Sequence, residues 1–321
     1  MTRPILRLGS RDAGDRHDVQ ELQRLLVARG AHVTADGIFG VLTLAALRIA
    51  QRSLGLSVDG VCGPATWTAL IGAEPSRVRL APLPSKLTWG VDVSSAGQPR
   101  PLPWGALYEA GARFAWVRVT VGSTVDLWAV QHAADARAAG LLVGGYGVPR
   151  ARDRRGAWNE GNNCAVEASR IGAVDLPLWI DLELPDVVHL ARAPAADVLA
   201  VLDAAAEWCA GAEAEQRGRR CGVYTGPAWL ATARQRGGPE AVAALVRLAG
   251  VGAERPLWLA QYPLRDVQAG EWPAAPAPWS DPPAIWQVSG DVGAEALLVD
   301  GRRVDLDVTR LGVDELRALG R

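Results

Sequence analysis

The chain has 321 residues, of which 49% are apolar and 21% are charged, and this composition is ordinary for a globular protein with a large and a small domain. The formal net charge is −1, so no global field would draw the chain to nucleic acid or to an anionic membrane, and we expect neither as a partner. No apolar run approaches the ~20 residues of a membrane-spanning helix. The first residues also lack the apolar core of a signal peptide.

Residues 1–72 are predicted to form a small helical domain. Apolar residues recur at helical spacing in 19–27 and, more loosely, in 42–49. Two loops of the form Asp-Gly-x-x-Gly-x-x-Thr, which begin at Asp36 and Asp59, make a short internal repeat. In such a loop the aspartate caps its own backbone and the glycines permit positive φ, so each loop is expected to precede a helix.

Further residues make this pattern more specific than that of a generic helical bundle. They are Leu22-Gln23, Gly30, Asp36-Gly37, Phe39-Gly40, Thr43, Gln51, Leu54-Gly55-Leu56, Asp59-Gly60, Gly63 and Thr66-Trp67. The segment resembles the peptidoglycan-binding domain type 1 family, a three-helix module found on many wall-lytic enzymes, although Ile49 stands where an aromatic residue is usual. The resemblance implies a wall-binding module that includes Asp36, Phe39, Asp59 and Trp67. The alternative is a bundle whose glycines serve only turns.

Residues 73–86 are predicted to be an extended linker, because three prolines fall there in a stretch without periodicity. The second domain is expected over residues 87–321, where short β-rich runs alternate with helical ones. The expected strands are 88–94, 113–121, 141–148, 176–184, 220–226, 256–262, 283–289 and 303–308, and the clearest helices are 126–139, 195–215 and 239–249. Eight strands with interposed helices predict an α/β fold, a TIM-like parallel β/α barrel. Irregular connections over 263–283 indicate fewer than eight helices.

Polar side chains share one face of several predicted strands. In residues 176–184, Trp179, Asp181 and Glu183 alternate with leucine and isoleucine, so both carboxyl groups are expected to point toward the barrel axis. The equivalent face of other strands carries Asp92, Arg118, Asp305 and Asp307, and further candidates for the lining are Tyr146, Tyr224, Trp258, Tyr262 and Gln287. Barrel enzymes keep catalytic groups at the C-terminal ends of their strands, so we expect these side chains to converge on one pocket.

The same segments carry a set of motifs in a fixed order. They are Gly90-Val91-Asp92-Val93-Ser94 with Gln98, Ala139-Gly140, Gly144-Gly145-Tyr146, Asp181-Leu182-Glu183, Tyr224-Thr225, Trp258-Leu259-Ala260-Gln261-Tyr262, Trp286-Gln287 and Val304-Asp305. Over residues 88–310 the set resembles glycoside hydrolase family 25, the muramidases of the Chalaropsis lysozyme type. The resemblance implies hydrolysis of the β-1,4 bond between N-acetylmuramic acid and N-acetylglucosamine in bacterial peptidoglycan, as endolysins and antimicrobial lysozymes do, without a cofactor or metal.

The resemblance also implies a role for each site residue. Glu183 would be the general acid, with a pKa raised by the nearby carboxylate of Asp181. Asp181 would orient the 2-acetamido group of the substrate for attack on the anomeric carbon, and a water-mediated inverting route stays open. Asp92 and Asp305 would bind sugar hydroxyls or tune Glu183. The substrate contacts would be Arg118, Tyr146, Tyr224, Trp258, Tyr262 and Gln287.

The sequence departs from the family pattern at two positions. Gly147 stands where a histidine often follows the tyrosine, and Asp307 stands where the last motif commonly has asparagine. Neither departure removes a proposed catalytic carboxylate. Four tryptophans near the expected pocket suit either sugar stacking or core burial, namely Trp116, Trp179, Trp258 and Trp286.

Three other functions stay open. The barrel could hold wall glycan without cutting it, or it could hydrolyse another acetamido-sugar polymer such as chitin. A zinc amidase or peptidase is disfavoured because such enzymes need clustered histidine ligands. The histidines here are scattered, at His17, His32, His132 and His189.

The remaining expectations concern the cysteines, the assembly and the site of action. The four cysteines are expected to be buried thiols, with a Cys209–Cys221 bridge left open. We expect a monomer that acts outside the cell on the bacterial wall. Without a visible signal peptide, the expected routes are release by lysis, another export route or a leader already removed.

Overall fold

The computed structural model describes residues 3–13, 17–29, 31, 33–72, 78–97, 102–183, 191–216, 219–250, 254–262, 264–289, 296–300 and 302–321. These residues form a small helical unit followed by a closed barrel surrounded by helices. In this part of the chain, no helix is long and apolar enough to cross a membrane.

The helical unit contains α1 (Asp18–Val27), α2 (Val41–Ser53) and α3 (Pro64–Gly72). Their apolar faces enclose a core of their own around Leu22, Leu47, Phe39 and Trp67, all 2% exposed or less. Because each helix is too short to be stable alone, burial of these side chains holds the unit together. The prediction of a small three-helix unit is confirmed.

The internal repeat corresponds to two equivalent hydrogen-bonded loops. Gln23 of α1 donates from Nε2 to Asp36 Oδ1 at 2.8 Å, and its Oε1 accepts from the following backbone amide at 2.9 Å. Gln51 of α2 makes the same pair of contacts with Asp59 Oδ1 at 2.7 Å and the next amide at 2.9 Å. Both glutamine side chains are buried, so each loop satisfies a polar group that would otherwise be costly to bury.

Twelve strands follow in the described residues. They are β1 (Val78–Leu80), β2 (Thr88–Val93), β3 (Phe114–Val121), β4 (Thr124–Val125), β5 (Leu142–Val148), β6 (Trp179–Asp181), β7 (Gly222–Thr225), β8 (Leu257–Ala260), β9 (Ile285–Ser289), β10 (Leu297–Val299), β11 (Arg302–Arg303) and β12 (Asp305–Thr309). Eight of them, β2, β3, β5, β6, β7, β8, β9 and β12, close into a ring in that order. The predicted closed barrel is confirmed.

The last barrel strand runs against the others. β2 to β9 pair in parallel around the ring, whereas β12 is antiparallel to both β9 and β2. The expectation of an all-parallel barrel was therefore wrong for this strand. In the described residues β9 and β12 are separated by the antiparallel pair β10–β11 and not by a crossover helix, so the chain can return in the opposite direction.

The helices around the barrel are α4 (Trp104–Glu109), α5 (Ala129–Ala138), α6 (Arg154–Ile171), α7 (Ala195–Glu215), α8 (Pro227–Ala249), α9 (Leu264–Gln268) and α10 (Val313–Ala318). The helix expected at 195–215 is confirmed at both ends. The one expected at 239–249 is the second half of α8, which kinks at Gly238, where φ is 62°. Pro239 after the kink explains why the sequence pattern showed only the later half.

Part of the predicted linker packs on the barrel. β1 pairs antiparallel with β10, with Val78 opposite Val299 and Leu80 opposite Leu297. The apolar side chains Leu83 and Leu87 pack against the main core as well. Residues 78–86, which the sequence assigned to the linker, therefore lie with the barrel in the structure.

The inside of the barrel is filled by aromatic rings. Trp116, Trp179 and Trp258 contact one another, with ring centroids 5.1 to 5.7 Å apart, and all three are at most 1% exposed. Inward-facing glycines make room for them, since a Cβ on Gly222 would lie 2.2 Å from the Trp179 ring. This layer closes the barrel from within and forms a solid base for whatever lies at its mouth.

An ion pair joins the helical unit to the barrel. Arg52 of α2 donates from Nη1 to both carboxyl oxygens of Asp135 in α5, at 2.8 and 2.6 Å. Gln131 donates to the same carboxylate at 2.8 Å. Burial raises the pKa of Asp135, and the charge of Arg52 opposes that rise. Because both side chains are largely buried, the pair fixes where α2 meets α5.

The four cysteines are free and buried, as expected. Cys209 in α7 and Cys221 before β7 lie with their sulfur atoms 3.4 Å apart, close enough for contact but not bonded. The sequence left a bridge between them open, and in this structure they are thiols.

Candidate active site

A pocket of about 410 Å³ opens at the ends of the barrel strands, directly above the aromatic layer. Its lining consists of Asp92, Ser94, Ala96, Gly97, Arg118, Tyr146, Asp181, Glu183, Tyr224, Trp258, Tyr262, Gln287 and Asp305. The structure therefore brings together all four predicted catalytic carboxylates and all six predicted substrate contacts. The pocket is within the size range of small-ligand sites.

The direction of β12 explains how Asp305 reaches this pocket. The other carboxylates lie toward the C-terminal ends of their strands, whereas Asp305 is the first residue of β12. Because β12 is antiparallel, its start lies at the same end of the barrel, and Asp305 pairs in register with Asp92 of β2. Two residues later along β12, Asp307 lies deeper and is completely buried.

Asp181 and Glu183 differ in their surroundings. Asp181 ends β6 and is partly buried, whereas Glu183 follows two residues later and is exposed in the mouth. Burial, and then the charge of Glu183, raise the pKa of Asp181 to about 8. From the sequence we expected the carboxylate of Asp181 to act on Glu183; in the structure the charge of Glu183 acts on the more buried Asp181.

One carboxyl oxygen of Asp181 has no hydrogen-bond partner. Its Oδ1 is buried, and no group in the described ranges donates to it. A buried acceptor without a donor is costly unless a ligand supplies the missing contact. Asp181 therefore offers a directed acceptor to a bound molecule.

A hydrogen-bonded chain connects Glu183 with Asp92. The Tyr224 hydroxyl is hydrogen bonded to Glu183 Oε1 and lies 2.9 Å from Gln287 Oε1. Gln287 donates from Nε2 to Asp92 Oδ2 at 2.6 Å. Tyr262 also donates to Gln287 Oε1, at 3.2 Å. Gln287, which the sequence suggested as a substrate contact, thus also links groups on opposite sides of the pocket.

Arg118 lies at the pocket wall but is already paired. Asp126 accepts from its Nε at 2.8 Å and from its Nη2 at 2.7 Å, and it accepts from the Ser95 backbone amide as well. The Asp126 side chain is 1% exposed. Sequence reasoning missed Asp126, because it lies in a loop between β4 and α5 where no strand periodicity marks it.

Asp126→Asn is expected to lower kcat/KM on bacterial walls about tenfold, because Arg118 loses its anionic partner and both it and the Ser95 loop shift relative to the pocket. The measurement is the initial rate of wall clearing at several wall concentrations. Asp203→Asn is the matched control, since Asp203 forms an exposed ion pair with Arg247 and should leave the rate unchanged. Equal rates for both variants would show that Asp126 does not position Arg118.

The tryptophans divide between core and pocket. Trp116 and Trp179 are completely buried in the layer beneath the pocket, and Trp286 packs outside the barrel against Trp272 at 5.4 Å. Only Trp258 of the four suggested tryptophans lines the pocket. The strand pattern alone could not distinguish these environments.

The residues singled out in the helical unit build that unit. Phe39 and Trp67 are 1% and 2% exposed, and Trp67 donates to the backbone oxygen of Pro4 at 2.8 Å. Asp36 and Asp59 accept within their own loops, and the hydrogen bonds lower the pKa of both. These four side chains therefore shape the unit from inside and from its turns.

Comparison with known proteins identifies both parts of the chain. The model of a peptidoglycan binding domain matches residues 15–70, and the model of glycosyl hydrolases family 25 matches residues 91–294. A search of curated proteins gives no match.

Similar solved structures share the fold of the barrel. They include a muramidase from Trichobolus zukalii (22% identity, TM-score 0.50), a bacterial lysozyme from Streptomyces coelicolor (19%, 0.52) and a family GH25 lysozyme from Aspergillus fumigatus (23%, 0.50). Each alignment covers 73% of this chain and 96% to 99% of the other chain. With the family model spanning most of the barrel, the chain belongs to glycosyl hydrolases family 25 and is a glycoside hydrolase.

Proposed function

We propose that the barrel is a peptidoglycan muramidase that cuts the β-1,4 bond between N-acetylmuramic acid and N-acetylglucosamine. Glu183 donates the proton to the leaving glycosidic oxygen, and Asp181 accepts from the N–H of the substrate's 2-acetamido group. Asp92 and Asp305 bind sugar hydroxyls. The observation that supports this best is the buried, unpartnered Oδ1 of Asp181 beside the exposed Glu183.

The two carboxyl groups fit a substrate-assisted route. The acetamido oxygen attacks the anomeric carbon as the glycosidic bond breaks, and the proton from Glu183 neutralises the departing oxygen. The positive charge then develops on the acetamido nitrogen beside Asp181. Burial and the charge of Glu183 raise the pKa of Asp181 to about 8, so the carboxylate form of Asp181 that this step needs becomes more populated as the pH rises toward that value. Water then opens the cyclic intermediate and returns a proton to Glu183.

The helical unit is proposed to hold the enzyme on the wall. We place it at residues 1–72, with residues 73–77 as the connection and the catalytic unit starting at Val78, where β1 joins the barrel. Its match to a peptidoglycan binding domain over residues 15–70 supports this division. The substrate lies in the bacterial wall, so the enzyme is proposed to act outside the cell, as a monomer without nucleic-acid or membrane partners.

Analysis of the digested wall tests the function. Purified walls treated with the full-length protein should yield new reducing ends at N-acetylmuramic acid and no new free amines, as read by mass spectrometry after borohydride reduction. Free amines would instead mean an amidase or peptidase, and reducing N-acetylglucosamine would mean cleavage of the other glycosidic bond. Release from chitin at a similar rate would overturn the choice of peptidoglycan. The anomer formed first, read by NMR, separates the retaining from the inverting route.

A further inference from the structure

Two carboxyl groups face each other beneath the pocket. Asp92 on β2 is 7% exposed and Asp307 on β12 is completely buried. Asp307 Oδ1 accepts from Trp258 Nε1 at 2.9 Å, and Asp92 Oδ2 accepts from Gln287 Nε2 at 2.6 Å. The remaining oxygen of Asp307, Oδ2, has no donor among the described residues. Asp92 is in register with Asp305 and Gly90 with Asp307, so Asp92 and Asp307 lie diagonally opposite each other on one face of the antiparallel pair β2–β12. A hydrogen bond between the two carboxyl groups contributes to the pKa of each.

Two ionised carboxylates cannot make that contact, because each is only an acceptor. A hydrogen bond between them needs one proton, and two like charges at this separation would repel strongly in a buried site. The arrangement therefore resembles the shared proton of two adjacent carboxyl groups in an acid dyad.

Among the described residues, no cation is one of the main influences on either carboxyl group of the pair. The charged and titratable groups that interact with the pair or with the tyrosines beside it are Asp305 on β12, Asp181 and Glu183 from β6 and the residues after it, Arg118 from β3, Tyr146 from β5, Tyr224 from β7 and Tyr262 after β8. The charge of Arg118 is already matched by Asp126. The neighbouring carboxylates add further repulsion.

We propose that Asp92 and Asp307 hold one proton between them and that Asp307 is thereby a positioning residue, which keeps Asp92 in place to accept from Gln287. Through Gln287 the pair fixes the Tyr224 hydroxyl beside Glu183. As a statement about catalysis this rests on the proposed muramidase function. As a statement about protonation it stands on the buried contact alone.

The proposal predicts how stability depends on pH. Burial is the main cause that raises the pKa of both groups, followed by the charge of Asp307 for Asp92 and of Asp305 for Asp307. A carboxyl group whose pKa is higher in the folded state favours folding fully below the unfolded value of ~3.9. That contribution is lost as the pH rises through the folded pKa.

Asp307→Asn is the matched probe, because the amide has the same shape and donates a hydrogen at every pH. The melting temperature of the variant should be close to that of the wild type near pH 4 and several degrees higher by pH 9. Asp314→Asn serves as the control, since its side chain is 97% exposed and its melting curve should follow the wild type throughout. Asp181 is present in all of these proteins, so its titration affects their melting temperatures alike. The difference in melting temperature between Asp307→Asn and the wild type therefore reports on Asp92 and Asp307.

A second readout tests the positioning role. The alkaline limb of the pH profile of kcat/KM on walls should move upward by about one pH unit or more in Asp307→Asn, with the acid limb unchanged.

If Asp307→Asn does not fold, Asp92→Asn supplies the same amide from the other side, and its melting temperature should show the same rise with pH. If the difference in melting temperature between variant and wild type stays the same at all pH values, Asp92 and Asp307 do not share a proton. If the alkaline limb of the kcat/KM profile is the same in Asp307→Asn and in the wild type, Asp307 has no positioning role. Since melting does not require activity, the shared proton and the proposed function can fail separately.

Discussion

Replacing Glu183 with glutamine should reduce wall clearing about 10³-fold while leaving the melting temperature within a few degrees of the wild type. A positioned general acid contributes roughly 10²- to 10⁴-fold, and an amide cannot donate its hydrogen to a departing glycosidic oxygen. The side chain is exposed at the pocket mouth, so the substitution removes no packing. Glutamine can still accept from the Tyr224 hydroxyl through its amide oxygen, so the geometry of the network should persist.

The control for this experiment is Glu271→Gln, the same chemical change at an exposed glutamate outside the pocket lining. It should clear walls at the wild-type rate. Equal clearing by Glu183→Gln and the wild type would rule out Glu183 as the acid. If neither protein clears walls, the barrel is a glycan-binding protein, and wall pull-down of both would show it. Binding retained by Glu183→Gln alongside lost clearing is the expected combination.

The convergence of the carboxylates could be predicted because it depends only on strand periodicity. Asp181 and Glu183 alternate with apolar residues, and Asp92 and Asp305 occupy the same face of strands that become neighbours, so closing the ring brings them together. The alternation of faces and the order of strands place these side chains on the inner face of the barrel, and the direction of β12 then decides the level of Asp305. All four groups line the pocket.

The depth of each residue in the barrel could not be predicted in the same way. Asp305 and Asp307 share one face of β12, and which of them lies at the mouth depends on the strand's direction. An antiparallel last strand places Asp305 at the mouth and buries Asp307. The sequence predicted a parallel one. Direction follows from how β9 connects to β12, and that connection has no periodic pattern to read.

Local sequence also concealed one helix. Half of the residues of α6 are polar and two are glycines, and the face that it buries consists mainly of small residues such as Ala157, Ala165 and Ala168, so its apolar stripe and its helix propensity are both weak. The structure shows why one of those glycines is there. Gly161 lies so close to the backbone of α7 that no side chain could fit between the two helices. Glycine weakens α6 locally, but at this position it allows α6 to pack against α7.

Gly161→Ala is expected to destabilise the protein by about 3 kcal/mol, at the upper end of overpacking costs. An added Cβ would lie 1.9 Å from the backbone oxygen of Trp208 in α7, and the reciprocal Cβ on Gly211 would lie 2.1 Å from the backbone oxygen of Trp158 in α6. Neither obstacle is a side chain that can rotate away, so the two helices must separate. Thermal unfolding should show a melting temperature lower by roughly 5 °C.

The direction of this change is informative because alanine favours an isolated helix over glycine by about 1 kcal/mol. A loss of stability must therefore come from the contact with α7 and not from the helix itself. Gly226→Ala provides the comparison: it adds the same atom at the start of α8, where the nearest neighbour is 3.5 Å away, and should change stability by less than about 1 kcal/mol. If Gly161→Ala instead melts at or above the wild-type temperature, α6 and α7 cannot pack backbone to backbone at this point. Clearing activity measured well below the melting temperature should be retained, since Gly161 does not line the pocket.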